Sequence, residues 1–166
     1  MKNYKILFIS LFLTLIISCQ PTTEDAIKYS DGIIEQQILV NEQMSKLLDS
    51  YDTYVAEEMD NAYSTAEEQL KKSIKYVSDL KGFEEDTYFK EGALTFLNTY
   101  KAVLETEHKR IIELLKLPED SYGSDQVKEV EAMRNQSNIK IDKALDDIFI
   151  IQKKFTDKYH IQLEKE

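Results

Sequence analysis

The chain is short of several things that would normally decide a fold or an activity. It has one cysteine, Cys19, two prolines, four glycines and no tryptophan in 166 residues. A single thiol excludes an internal disulfide, a Cys-based zinc site and the Cys-x-x-Cys-His attachment of haem c. Few Gly and Pro breakers in this length exclude a loop-rich fold and favour long helices. No Gly-rich phosphate loop and no Gly-x-Ser-x-Gly elbow occurs, which argues against a nucleotide-dependent or esterase-like enzyme. Positive charge is also scarce. Lys and Arg number 21 against 31 Asp and Glu, for a formal net charge of −10. Such a chain is unsuited to nucleic acid, where binding rests on neutralising phosphates, and to lying flat on anionic lipid.

What is present starts with the N-terminus. Lys2 and Lys5 precede an apolar run from Ile6 to Ile17, broken only by Ser10 and Thr14. This run is too short to span a bilayer, which needs about 20 apolar residues. Its pattern is that of a secretory signal peptide. Ile16-Ile17-Ser18-Cys19 resembles a bacterial lipobox, which implies that Cys19 becomes the lipidated first residue of the mature protein. Residues 1–18 are then the signal, 19–23 the lipidated cysteine and a short linker, and 24–166 one domain. Losing two lysines with the signal takes the net charge from −10 to −12. Gln20 is not the aspartate that retains enterobacterial lipoproteins at the inner membrane, so the outer membrane is the expected address. The expected partners are the membrane, through lipid on Cys19, and an envelope protein or ligand.

Apolar residues after Cys19 recur at three- and four-residue steps, the signature of amphipathic helices. One stripe runs from Ile27 through Ile34, Ile38, Met44, Leu47, Leu48 and Tyr51 to Val55. A second runs from Ala62 to Leu80, a third from Ala93 to Leu115, and a fourth from Val127 to Tyr159. Gly82 is read as the C-cap of the second helix and Asp86 or a neighbour as the next N-cap. Residues 117–125 separate the third and fourth helices, with Ser124 as the cap. The first turn is expected at Glu57–Asp60, with Ser50–Asp52 as the alternative. The spacing predicts an all-α, antiparallel, up-down-up-down four-helix bundle.

Certain residues also carry a likeness. They are Tyr29-Ser30-Asp31-Gly32-Ile33-Ile34, Gln37, Lys81-Gly82-Phe83, Tyr88, Gln152-Lys153-Lys154-Phe155 and Lys158-Tyr159. With these the chain resembles a family of short uncharacterised surface lipoproteins of spirochaetes and Bacteroidetes. Ser30 stands where that pattern leads one to expect Asn. The resemblance implies a helical, membrane-anchored protein and supplies no catalytic residues.

Two fragments bear on metal chemistry. Glu105 lies three residues before His108, the spacing used in di-iron bundles, and Asp157 lies three before His160. Such sites need several carboxylates converging from other helices. Folding back near residue 120 separates the two histidines by 28 residues in height, roughly 42 Å at about 1.5 Å per residue. No metal and no cofactor is expected, and a di-metal bundle stands as the alternative reading. The fourth stripe is interrupted by Arg134-Asn135-Gln136-Ser137-Asn138, and stepping from Val130 turns Arg134 and Ser137 inward. The same fold-back sets them near Glu107 and His108. The expected binding layer is therefore Glu107, His108, Arg134 and Ser137, with Arg134 balancing the Glu107 carboxylate and Tyr122 beside the layer in the loop.

Overall fold

The structure, a computed structural model, describes residues 22–162. Cys19 and the signal-like run before it lie outside the described residues. Four helices follow one another: α1 (Thr23–Ser50), α2 (Ala56–Asp79), α3 and α4 (Ser124–Lys158). The third is built in series from an α-helix Tyr88–Val103, a π-helical stretch Leu104–His108 and an α-helix Lys109–Leu115, continuous from 88 to 115. Among the described residues there is no strand, only an isolated bridge between Phe83 and Asp86. The chain is the expected all-α four-helix bundle.

Each helix end has a local cause. The Asp25 N–H donates to Thr22 Oγ1 at 3.2 Å, and the Thr22 N–H donates to Asp25 Oδ2 at 2.9 Å. This reciprocal pair satisfies two orphan donors at the start of α1. The helix stops at a single 3-10 turn, Tyr51–Thr53, after which Tyr54 adopts a left-handed φ of 53°. The first reversal therefore occupies 51–55, not Glu57–Asp60. Those acids belong instead to the first turn of α2, where Glu57 and Glu58 face the positive end of the helix dipole. Their polarity mimics a loop in sequence because helix starts and loops share it.

The α2–α3 connection also departs from expectation. Gly82 is not a left-handed cap, since α2 already ends at Asp79 with Leu80 as its C-cap. Its small size is needed because a Cβ there would come within 2.8 Å of the Asp86 carbonyl oxygen. Phe83 and Asp86 exchange two backbone hydrogen bonds, of 3.0 and 2.8 Å, around Glu84 and Glu85. Those two glutamates have φ of 50° and 67°, as a type I′ turn demands. Lys90 Nζ donates to the carbonyls of Ser78 and Leu80 and so closes the C-terminus of α2. The N-cap of α3 is Thr87, the neighbour of Asp86, and the Tyr88 N–H donates to Asp86 Oδ1 at 2.8 Å. At the start of α4 the cap is Gly123 rather than Ser124, and its N–H donates to Gln126 Oε1 at 3.0 Å.

The two turns at 51–55 and 116–123 share one end, where Tyr54, Leu115, Leu117 and Tyr122 line a common cleft. The other end is closed by five rings, Tyr29, Phe83, Phe89, Phe155 and Tyr159, with neighbouring centroids 4.7 to 6.3 Å apart. The role of all five here is packing. Helices α1 and α2 pack closely, as do α2 with α3 and α3 with α4. The α1–α4 seam is looser and is bridged by Gln152 Nε2 donating to Gln37 Oε1 at 2.9 Å. Ile27, Ile38 and Leu48, which the periodicity places in the core stripe of α1, are exposed.

The left-handed pair makes the turn a testable weak point, because each non-glycine residue there is strained by about 1 kcal/mol. Glu84→Asn with Glu85→Gly, the preferred type I′ pair, is expected to raise unfolding free energy by roughly 1 kcal/mol. Urea unfolding should show a higher midpoint at an unchanged slope.

Candidate binding site

The π-helical stretch places two neighbouring polar side chains inside the bundle. Its widening is visible in the Lys109 N–H, which reaches the Leu104 carbonyl five residues back. A π turn is an uncommon distortion often found at functional positions. Glu107 and His108, its last two residues, are each only 3% exposed. Thr106, between Glu105 and Glu107, sets its hydroxyl within bonding distance of the Ala102 carbonyl and of Glu107.

His108 joins three helices. Its Nδ1 lies 2.9 Å from the Tyr51 hydroxyl at the end of α1, and its Nε2 lies 3.2 Å from the Ser137 hydroxyl on α4. Burial pushes the imidazole pKa down to about 4; Glu107 opposes this and Arg134 adds to it. The ring is therefore neutral at physiological pH and has one N–H and one acceptor nitrogen. If Nδ1 carries the proton it donates to Tyr51, Nε2 accepts from Ser137, and the tyrosine proton is left over. If Nε2 carries it, the serine proton is left over. Either tautomer leaves one hydroxyl donor unused by the histidine.

Glu107 is held by a different cation from the one the sequence pointed to. Lys140 Nζ stands 2.5 Å from Glu107 Oε1. Burial raises the carboxyl pKa, but the hydrogen bonds from Lys140 and Thr106 outweigh it, and the net shift is downward. Arg134 does not balance this carboxylate and does not point inward. It is exposed, with its guanidinium 5.7 Å from the centroid of the Tyr51 ring. The reason is helical geometry. Positions 134 and 137 differ by about 60° around α4, so only Ser137 reaches the middle of the inward face. Lys140 is half-buried, and its long stem carries the ammonium to Glu107 from the edge of the interior.

Above this layer lies an open cleft of about 310 Å³. Its floor is Tyr51, His108 and Ser137, one lip carries Asp49 and Asp52, and the other carries Arg134 and Asn138. Among the described residues Arg134 makes no ion pair, so its guanidinium is available from the solvent side. Tyr122 does not join this site. It is half-buried in the 116–123 connection and lines the separate cleft with Tyr54. The sequence thus set Glu107, His108 and Ser137 in one neighbourhood, as found, but turned Arg134 inward, whereas it stands at the rim. It missed Tyr51, which reads as one more apolar step of α1, and Lys140. The signal for Lys140 was its position one turn beyond Ser137 on the same side of α4.

Among the described residues no three His, Cys, Asp or Glu side chains converge as metal ligands. His160 follows the far end of α4, next to Tyr159 in the aromatic cluster, at the opposite end of the bundle from the 51–55 turn.

The buried histidine ties stability to pH. Its folded pKa of about 4 lies below the unfolded value of about 6.5. The neutral ring's contribution is therefore complete above pH 6.5 and is lost as pH falls from there toward 4. Each unit is worth about 1.4 kcal/mol, so unfolding free energy should drop by roughly 2 kcal/mol between pH 7 and pH 5. His108→Gln should be less stable at pH 7 yet nearly flat over the same interval, as denaturant melts at each pH would show.

Comparison of the chain with protein-family models, with curated proteins and with solved structures gives no match, so the reading of this site rests on its own geometry.

Proposed function

We propose that this chain is a lipid-anchored module of the cell envelope that binds a small polar ligand and carries out no chemistry on it. The observation that carries the reading is the open cleft in which Arg134, without an ion-pair partner among the described residues, overhangs the Tyr51–His108–Ser137 floor. A guanidinium beside a spare hydroxyl donor suits an anionic oxygen, and Asp49 and Asp52 opposite suit an amine or hydroxyl donor. A ligand bearing both, such as an amino acid or a hydroxy acid, fits these groups. The histidine favours binding over catalysis, since both nitrogens are engaged and its basicity is suppressed by burial.

The anchor rests on the lipobox-like segment ending at Cys19 and on the likeness to envelope lipoproteins. Among the described residues no helix is long and apolar enough to cross a membrane. In this reading lipid on Cys19 holds the start of α1 near the bilayer. The end of α1, with Tyr51 and the cleft, then lies about 40 Å away along a helix of 28 residues at about 1.5 Å each. The cleft faces away from the membrane, and the outer membrane is the proposed address.

Two outcomes test the proposal. Cys19→Ala should abolish incorporation of a fatty-acid analogue in cells, and label persisting on the variant contradicts the anchor. For the cleft, a thermal-shift panel of amino acids and hydroxy acids should contain ligands that raise the melting temperature of the chain from Gln20 onward. Arg134→Ala should weaken the best of them about tenfold, the usual scale for losing one charged hydrogen bond. A panel with no shift, or equal binding by the variant, contradicts the binding reading.

A further inference from the structure

The looser α1–α4 seam carries a second feature, separate from the cleft. The Gln37–Gln152 bond sets the antiparallel register of these two helices, so Ile38, Phe149, Leu145 and Leu48 follow one another in height along the seam. Leu48 lines the cleft beside Asn138, which places it on the α4 side of α1. Gln37, Asn41 and Leu48 on α1, and Leu145, Phe149 and Gln152 on α4, recur at three- to seven-residue steps and border the same furrow. All four apolar residues face solvent, Phe149 being 65% exposed and Ile38 52%. From position 37 to 48 the strip is about 16 Å long, or three helical turns. A strip of this kind exceeds the scattered single apolar residues normal on a surface.

Charge decides what covers it. Glu42 on α1 and Asp142 and Asp146 on α4 make no ion pair among the described residues. The lysines nearby on α4 are already matched, Lys143 to Asp147 and Lys153 to Asp157. An apolar furrow bordered by unmatched carboxylates complements a helix with an apolar face and basic edges. A second copy is disfavoured, because it would bring the same carboxylates together in a chain of net charge −10. Anionic lipid is disfavoured for the same reason.

We infer that the furrow between α1 and α4 docks a cationic amphipathic helix of a partner protein. An apolar face at three- and four-residue spacing seats on Ile38, Leu48, Leu145 and Phe149, and lysine or arginine side chains reach Glu42, Asp142 and Asp146.

The test uses the chain from Gln20 onward, which contains all four helices, and three synthetic peptides of about five turns. One is an amphipathic Leu/Lys helix, one has the same composition in scrambled order, and one keeps the apolar face with Glu replacing Lys. Fluorescence anisotropy should show the Leu/Lys helix binding at least about tenfold tighter than either control. Phe149→Ser should weaken it about tenfold, as loss of an aromatic anchor does. Asp142→Asn with Asp146→Asn should weaken it several-fold and flatten its salt dependence, with circular dichroism unchanged in each variant. Equal binding of the scrambled peptide, equal binding of the Leu/Glu helix, or no binding at all would overturn the inference. So would a dimer in sedimentation that Phe149→Ser abolishes, since that assigns the furrow to a second copy.

Discussion

The structure turns on one imidazole. His108, buried and neutral, accepts or donates at both nitrogens and in doing so joins the end of α1 to the middle of α3 and α4. A buried polar group left without partners costs several kcal/mol, and one bonded on every side fixes the geometry around it. Tyr51 takes its partner because it continues the buried phase of Met44 and Leu47 at the end of α1, and Ser137 does so because α4 presents a small hydroxyl at that step. The π-helical stretch satisfies the remaining condition by letting Glu107 and His108, adjacent in sequence, both leave the solvent.

The same layer separates two roles that are mixed in sequence. Lys140 neutralises Glu107 from the edge of the interior, which frees Arg134 for the surface. One cation is structural and the other is available. A bundle that needed only stability would fill this level with aliphatic side chains, as it does at Leu104 and Ile111 on either side. Polar groups held here, under an open cleft, are the strongest argument that the level serves recognition.

How much of this was legible beforehand follows from what sequence periodicity records. Long unbroken stripes with few Gly and Pro fix the number and order of helices, because burial at three- and four-residue steps leaves that trace. The interruption of the fourth stripe marked the polar level, and the fold-back brought Glu107, His108 and Ser137 into one neighbourhood. The trace does not record where a stripe stops. Tyr51, Tyr54 and Val55 continue the apolar spacing of α1 although the helix has already ended, and Glu57 and Glu58 look like a loop although they open α2. Nor does it record a π turn, which leaves apolar spacing nearly unchanged. Arg134 and Lys140 stand about 60° to either side of Ser137 around α4, and the choice between them is finer than a stripe defines. Ile38 and Leu48 sat within an over-wide stripe, and only the looseness of the α1–α4 seam reveals them as surface.

The central claim is that His108 is a neutral ring bonded on both sides at the floor of the cleft. Nitrogen-15 NMR of the selectively labelled imidazole at pH 6 reads this directly. The account predicts one protonated and one unprotonated ring nitrogen with no imidazolium population, and a ring proton protected from exchange with water. An imidazolium spectrum at pH 6, or rapid exchange of the ring proton, would contradict it.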